Sequence, residues 1–223
     1  MQSTEVGNVS SSRRPDAESE ACKRLARDEV SLVSWHRELP PGLDEQLVEW
    51  AKHFPAQFDE ILCIPNYELS GATRGLGEQA RTWLTRDIAT LLARFAHVAD
   101  ARRLRVSFGA VRTDQCRKFH VDYVQYRLVT TYVGPGTEWV PDEAVRREAV
   151  RREALDHPPD CPCDANKEIV RDASAIRHAV AGDVLMMKGG RHATHRGAVH
   201  RSPPIEGTGR VRVVLIASTV GDS

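Results

Sequence analysis

Lys118-Phe119-His120-Val121-Asp122-Tyr123 is the stretch from which the whole chain reads most directly. Strand-like sequence flanks it. Leu104–Arg112 alternates apolar and polar residues, and Tyr126–Val133 is rich in β-formers. On an extended backbone, residues two apart leave the same face, so His120 and Asp122 project together. An imidazole beside a carboxylate supplies two of the three protein ligands of a facial metal triad. The third would be a histidine on a later strand, and Ala198-Val199-His200 offers one.

A His-x-Asp pair followed at long range by a second His resembles the double-stranded β-helix oxygenases that use 2-oxoglutarate. That resemblance implies Fe(II) and 2-oxoglutarate as cofactors. It also implies a cation for the distal carboxylate of the co-substrate, where Arg is favoured because it binds carboxylates in bidentate fashion. Arg212 opens the last strand, Arg212-Val213-Val214-Leu215-Ile216-Ala217, and fills this role, with Arg210 as the fallback. Tyr132, Thr131 and Arg127, on the strand after the His-x-Asp pair, are expected to add polar contacts.

Each of these residues also has a plainer reading. A His-x-Asp pair can be a surface ion pair, and Arg212 can be a salt-bridged strand residue. His192 and His195 sit in Gly189-Gly190-Arg191-His192-Ala193-Thr194-His195-Arg196-Gly197, a basic loop expected to form a rim, although either could replace His200 as a ligand. Cys161-Pro162-Cys163 with His157 could bind a soft metal such as zinc, yet no second cysteine pair completes a four-ligand site. Cys116, four residues before His120, could line the site, but simple packing is the favoured reading. His97 reads as a helix-end cation, favoured by the helix dipole.

The remaining sequence sets the framework. Residues 1–20 carry few large apolar side chains and are expected to form a disordered tail. Leu43, Leu47, Val48 and Trp50 predict a helix from Gly42 to His53, ended by Pro55. Leu84, Ile88, Leu91, Phe95 and Val98 predict a long amphipathic helix over residues 77–98. Asp59–Pro65 reads as irregular or a brief strand, Pro141–Leu155 as an exposed helix, and His157–Asn166 as a loop. Strands are expected at Glu168–Arg171, Asp183–Met187, Ala198–His200 and Arg212–Ala217. Helices first and strands second give an α+β fold: a double-stranded β-helix (jelly-roll, cupin-like) barrel with N-terminal helices packed on the sheet. The expected division is a helical part over residues 21–100 and a β-helix core over 101–220, within one domain spanning 21–223.

Composition excludes several classes. Lys plus Arg and Asp plus Glu balance at 31 each, so no global basic field points to nucleic acid or an anionic membrane. No apolar run is long enough to span a bilayer. Five cysteines are an odd, scattered set, which is no disulfide framework, and with no visible secretory signal they lead us to expect a cytoplasmic protein. A phosphate-binding Gly-rich loop and a Gly-x-Ser-x-Gly elbow are both absent from the sequence.

Four motifs in order resemble the bacterial domain-of-unknown-function family 1826: Lys118–Asp122, Gly134-Pro135-Gly136-Thr137-Glu138-Trp139, Gly182–Gly189, and Val199-His200-Arg201-Ser202-Pro203. The resemblance spans about residues 30–218. It implies a relation to cupin-like metal-binding folds and, in general terms, to bacterial metal homeostasis. The sequence departs from the family pattern around Cys161 and Cys163 and at His192 and His195. Two functions are therefore expected. The first is an Fe(II)/2-oxoglutarate-dependent oxygenase, with His120, Asp122 and His200 on the metal and Arg212 on the co-substrate, whose substrate, a small molecule or a protein, the sequence does not name. The second is a cupin-like zinc-binding protein without oxygenase activity.

Overall fold

The computed structural model describes residues 17–53, 58–156 and 165–221. The expected tail gives way to helix α1, Ala17–Leu25, which seats Ala21 and Leu25 in the core. Residues 1–16, Pro55, His157, Cys161 and Cys163 lie outside the described residues. Helices α2, Leu43–His53, and α3, Glu78–Ala99, follow their apolar periodicity. Leu84, Ile88, Leu91, Leu92 and Phe95 line the buried face of α3, and burying such side chains is worth about 2 kcal/mol each. His97 stands exposed in its last turn, as a helix-end residue.

Nine strands follow the chain: β1 Leu32–His36, β2 Phe58–Cys63, β3 Arg103–Val111, β4 Tyr126–Val133, β5 Glu138–Val140, β6 Arg177–His178, β7 Asp183–Lys188, β8 Val199–Arg201 and β9 Arg212–Thr219. They form a six-stranded sheet in the order β1-β7-β4-β9-β3-β2 and a three-stranded sheet in the order β6-β5-β8, all antiparallel. A bridge between His120 and His200 adds the His-x-Asp segment beside β8. From β3 onward the chain passes back and forth between the two sheets. The class is α+β with antiparallel sheets, as expected, but the split into helices first and strands second is not clean. The helical part contributes β1 and β2, which occupy the two edges of the large sheet. There they satisfy backbone groups of β7 and β3 that would otherwise lie open.

Strand alternation sorts side chains between two apolar layers. Val213, Leu215 and Ala217 of β9 join Leu128, Tyr132 and Val184 under the helices. Val214 of β9 joins Val111, Val129, Leu185 and Met187 on the opposite face, where Trp139 and Ala198 of the small-sheet side pack against them. A third cluster covers the far side of the small sheet, with Phe119, Val140, Val145, Ala149, Ile169 and Val199.

Two expectations are corrected in that third layer. The exposed helix over residues 141–155 is instead a 3-10 turn, Asp142–Ala144, followed by α4, Arg147–Asp156, and Ala144, Val145 and Ala149 are buried. Glu168–Arg171 is no strand. Ala165–Ile169 forms α5, and only Val170 makes a β-bridge, to Val145. The apolar pair Ile169-Val170 is buried from a helix end, because the Asn166 side chain holds α5 against Phe119 N–H at 2.8 Å and Arg117 O at 3.1 Å.

Candidate metal centre

His120 and His200 come together through reciprocal backbone bonds of 3.0 Å, each N–H donating to the other residue's carbonyl. On the neighbouring strand of the small sheet, Trp139 of β5 sits opposite His200. His120, Asp122 and His200 form a cluster whose ligand atoms all lie within 4.8 Å of one another. His120 Nε2 is 3.3 Å from Asp122 Oδ1, and His200 Nε2 is 3.0 Å from Asp122 Oδ2. Among the described residues this is the one group of three or more His, Cys, Asp or Glu able to share a metal ion.

Hydrogen bonds at the far side of each ring fix its orientation. His120 Nδ1 lies 2.9 Å from Lys118 O, and His200 Nδ1 lies 3.2 Å from Ala198 O. A carbonyl can only accept, so both Nδ1 atoms carry the proton and both Nε2 lone pairs face the Asp122 carboxylate. Such second contacts orient ligating histidines in metalloproteins. The inward set is thus two imidazole nitrogens and a carboxylate. Asp122 Oδ2 is buried and makes no hydrogen bond despite its closeness to His200. Lone pairs facing one another repel unless a cation sits between them, and in the metal-free chain a proton takes that part. Burial alone would lower the His120 pKa, but hydrogen bonds to Asp122 and Cys116 raise it to about 10. Burial opposes the charge of Asp122, yet the adjoining His120 and His200 imidazoles and the charge of Arg127 hold it well below the usual carboxylate range. The donor set therefore fits a divalent ion with open positions on one side.

The loop expected as a rim shapes this corner through close backbone approach. Gly190 N–H donates to Asp122 O at 2.8 Å. A Cβ on Gly189 would stand 2.1 Å from Val124 O, and one on Gly197 would stand 2.3 Å from the Val121 side chain. His192 does not reach the cluster. Its Nε2 is 2.8 Å from the Tyr126 hydroxyl and its Nδ1 is 3.0 Å from Thr194 Oγ1. His195, exposed and at φ 51°, lines the mouth of the cavity. Cys116 corrects the packing expectation: it is exposed and lines the same cavity, with its thiol hydrogen-bonded to His120, which lowers the thiol's pKa.

The other residues singled out from the sequence divide. Arg127 reaches the cluster and contacts the metal-ligand candidate itself, its Nη1 2.9 Å from Asp122 Oδ1 while its Nε donates to Ser218. Arg212 is buried with no carboxylate partner among the described residues, and its Nη2 donates to Thr131 at 3.2 Å and Thr137 at 3.3 Å. Its Nε has no partner, and burial lowers its pKa to about 10, so it stays charged at neutral pH. Arg210 is exposed in the turn before β9. Tyr132 is a correction. Neighbouring positions on a strand point to opposite faces, so Thr131 turns toward Arg212 while Tyr132 turns under the helices. Its hydroxyl donates to Asp87 at 2.7 Å, and its ring packs on Trp83 and Phe108. The sequence reading missed Asp87 and Arg37, which complete this buried network, with Arg37 bound to both Asp87 oxygens at 3.0 and 2.9 Å. The i,i+3 and i,i+4 neighbours of Asp87 on α3 gave no sign of it, because Arg37 follows β1 and the network closes only through tertiary contact.

A family profile described as "Protein of unknown function (DUF1826)" matches residues 16–217. The chain belongs to the DUF1826 family. No curated protein matches it. Among solved structures, a prolyl-4-hydroxylase from Pseudomonas putida is similar at 12% identity and TM-score 0.48, covering 92% of this chain and 98% of the hydroxylase. A putative oxygenase from Shewanella oneidensis gives 11% identity and TM-score 0.47, covering 93% and 87%. HygX from Streptomyces hygroscopicus, solved with nickel and 2-oxoglutarate bound, gives 12% and 0.45, covering 90% and 86%. Among the described residues of this DUF1826 chain, no helix is long and apolar enough to cross a membrane.

Proposed function

We propose that this DUF1826 protein is an Fe(II)- and 2-oxoglutarate-dependent oxygenase on a double-stranded β-helix. The observation that carries the reading is a pairing: a two-His, one-carboxylate cluster with inward lone pairs, and a buried guanidinium that has no carboxylate partner among the described residues. Burying an unpaired charge costs several kcal/mol. A ligand carboxylate at Arg212 would offset that cost and engage its partnerless Nε. Placement supports the pairing. Arg212 bonds Thr137, two residues before Trp139, the strand partner of His200. The winding also supports it, since from β3 to β9 the chain crosses repeatedly between the two sheets, with β3, β4, β7 and β9 in the large sheet and the His120 bridge, β5, β6 and β8 in the small one, in the manner of a jelly roll.

On this reading His120, Asp122 and His200 hold the metal, and Arg212 with Thr131 and Thr137 receives the distal carboxylate of 2-oxoglutarate. Iron with 2-oxoglutarate and oxygen would supply oxidation of a C–H bond coupled to loss of carbon dioxide. The chain's own part is geometric. Lys118 and Ala198 carbonyls set the ring tautomers, Arg127 fixes the Asp122 carboxylate, and the apolar layer around Val129, Leu185 and Val214 keeps the interior dry. A zinc-binding protein without oxygenase activity would use the same three ligands but gives Arg212 nothing to do.

Anaerobic visible absorption of the Fe(II)-loaded protein, titrated with 2-oxoglutarate, tests the reading. We expect a charge-transfer band that His120→Ala abolishes. Arg212→Ala should keep the metal and weaken 2-oxoglutarate binding about 10- to 100-fold, the worth of a charge-assisted pair. Absence of the band with stoichiometric zinc retained would move the assignment to the zinc-binding protein.

A further inference from the structure

The cluster opens onto a cavity of about 1020 Å³, at the upper end of the size of small-molecule sites. The same cavity is lined by His120 and Asp122 at one place and by Arg147, Arg151 and Arg196 at another. Those three guanidiniums have too little negative charge around them. Arg147 and Arg196 share one carboxylate, Asp142, each taking one of its oxygens. Arg151, one helical turn beyond Arg147 on α4, has no carboxylate partner among the described residues and stands exposed. Arg147 Nε is buried with no hydrogen-bond partner. Its Nη1 is spent on Gly197 O at 2.6 Å, so the head is held in place with one donor unused. Arg117, in the same lining, is flanked by Asp114 and Glu206, so the underpaired positive charge lies with Arg147, Arg151 and Arg196.

A further feature concerns the body of the ligand. Tyr123, next to Asp122, is 82% exposed and lines the same cavity, with the Arg191 guanidinium 5.6 Å from its ring centroid. A large aromatic side chain held this far into solvent beside a reactive cluster offers a stacking face.

We infer that the substrate is a small organic anion. Its carboxylate or phosphate docks on Arg147, Arg151 and Arg196, its flat or apolar body lies along Tyr123, and its reacting carbon reaches the His120–Asp122 end. The inference rests on the oxygenase reading for what happens at that carbon, but the anion site stands on the cationic wall alone. One fixed guanidinium with two more lining the same concave surface favours a carboxylate or phosphate through charge and N–H donors.

The experiment is calorimetric titration of the full chain, loaded with Co(II) and 2-oxoglutarate under argon. The probes are phenyl phosphate, phenylacetate and the neutral benzyl alcohol. At least one anion should bind, more weakly as NaCl is raised, and benzyl alcohol should bind at least about tenfold more weakly, the factor a charge-assisted contact supplies. Which anion binds tells phosphate from carboxylate. Arg151→Gln with Arg196→Gln should weaken that anion about tenfold or more while Co(II) and 2-oxoglutarate affinities stay unchanged. Arg151→Glu alone, at an exposed position that folding tolerates, should weaken it as well. Equal binding of anion and alcohol, binding of neither anion, or wild-type affinity in both variants overturns the inference. So does preferential binding of a short single-stranded RNA, which would make the wall a nucleic-acid surface. Failure of the wild-type chain to bind Co(II) or 2-oxoglutarate is a separate outcome. It overturns the oxygenase reading, while the anion titration, repeated without metal, still decides the wall.

Discussion

Arg212 shows how a single residue can be costly to the fold and useful to the site. Its guanidinium is almost wholly buried, bonded only to two threonine hydroxyls, with Nε unpartnered. Replacing it by methionine, which fills similar space without charge, should raise the stability of the ligand-free chain by about 1–2 kcal/mol. For a chain of this length that is a rise in melting temperature of about 2–8 °C, readable by calorimetry. The same variant should lose 2-oxoglutarate binding, and a fall in melting temperature would mean that the charge is satisfied within the fold. Tyr132 behaves oppositely. Tyr132→Phe removes a buried hydrogen bond to Asp87 and should cost about 1–2 kcal/mol without changing Co(II) or 2-oxoglutarate affinity. His120 carries a pH signature in the metal-free chain. Its pKa is raised in the fold to about 10, so its stabilising share is complete below about pH 6.5, the ordinary imidazole value, and is lost as pH climbs through about 10. Melts of EDTA-treated protein should therefore decline across that window, and Co(II)-loaded protein should not, because the metal replaces the proton.

Among the elements, the glycine loop after β7 determines whether the cluster can assemble. It lies against residues 120–124 so closely that only hydrogen fits at Gly189 and Gly197. Gly197→Ala must push Val121 aside, and Asp122 with it. We expect at least about tenfold weaker Co(II) binding with a smaller effect on the melt of the metal-free chain, since rigid support of a site is lost before the core is. Unchanged Co(II) affinity would detach the loop from the site. The elements themselves were legible in proportion to their periodicity. α3 and β9 carry long, consistent patterns and stand where the sequence put them. Residues 168–171 carry only a short apolar run, which a strand and a helix end can bury equally well, and the Asn166 contacts chose the helix.

At the scale of the molecule, the candidate metal would tie the His-x-Asp segment to β8 across the small sheet, and binding only the folded state stabilises it by mass action. At a free Co(II) concentration about 1,000-fold above the dissociation constant, the gain is about 4 kcal/mol. The expected rise in melting temperature is about 8–16 °C, lost in Asp122→Ala. A shift that persists in Asp122→Ala would place the metal elsewhere.

The sequence by itself determined the His120–Asp122 pair on one face, the strand that carries Arg212 and the α+β class, because those depend on local spacing: two residues on a strand, three to four on a helix; it left open which distant histidine, His200, His192 or His195, joins the pair. Tertiary structure alone decided the rest. It turned Tyr132 away from Thr131's side, where a one-residue step reverses the face. It sent β1 and β2 to the edges of the large sheet, and it let Arg147 and Arg196 share a single carboxylate, Asp142, in the lining of the cavity that Arg151 also lines. Each of these depends on which distant segments meet, and neither periodicity nor composition encodes the partner of a long-range contact.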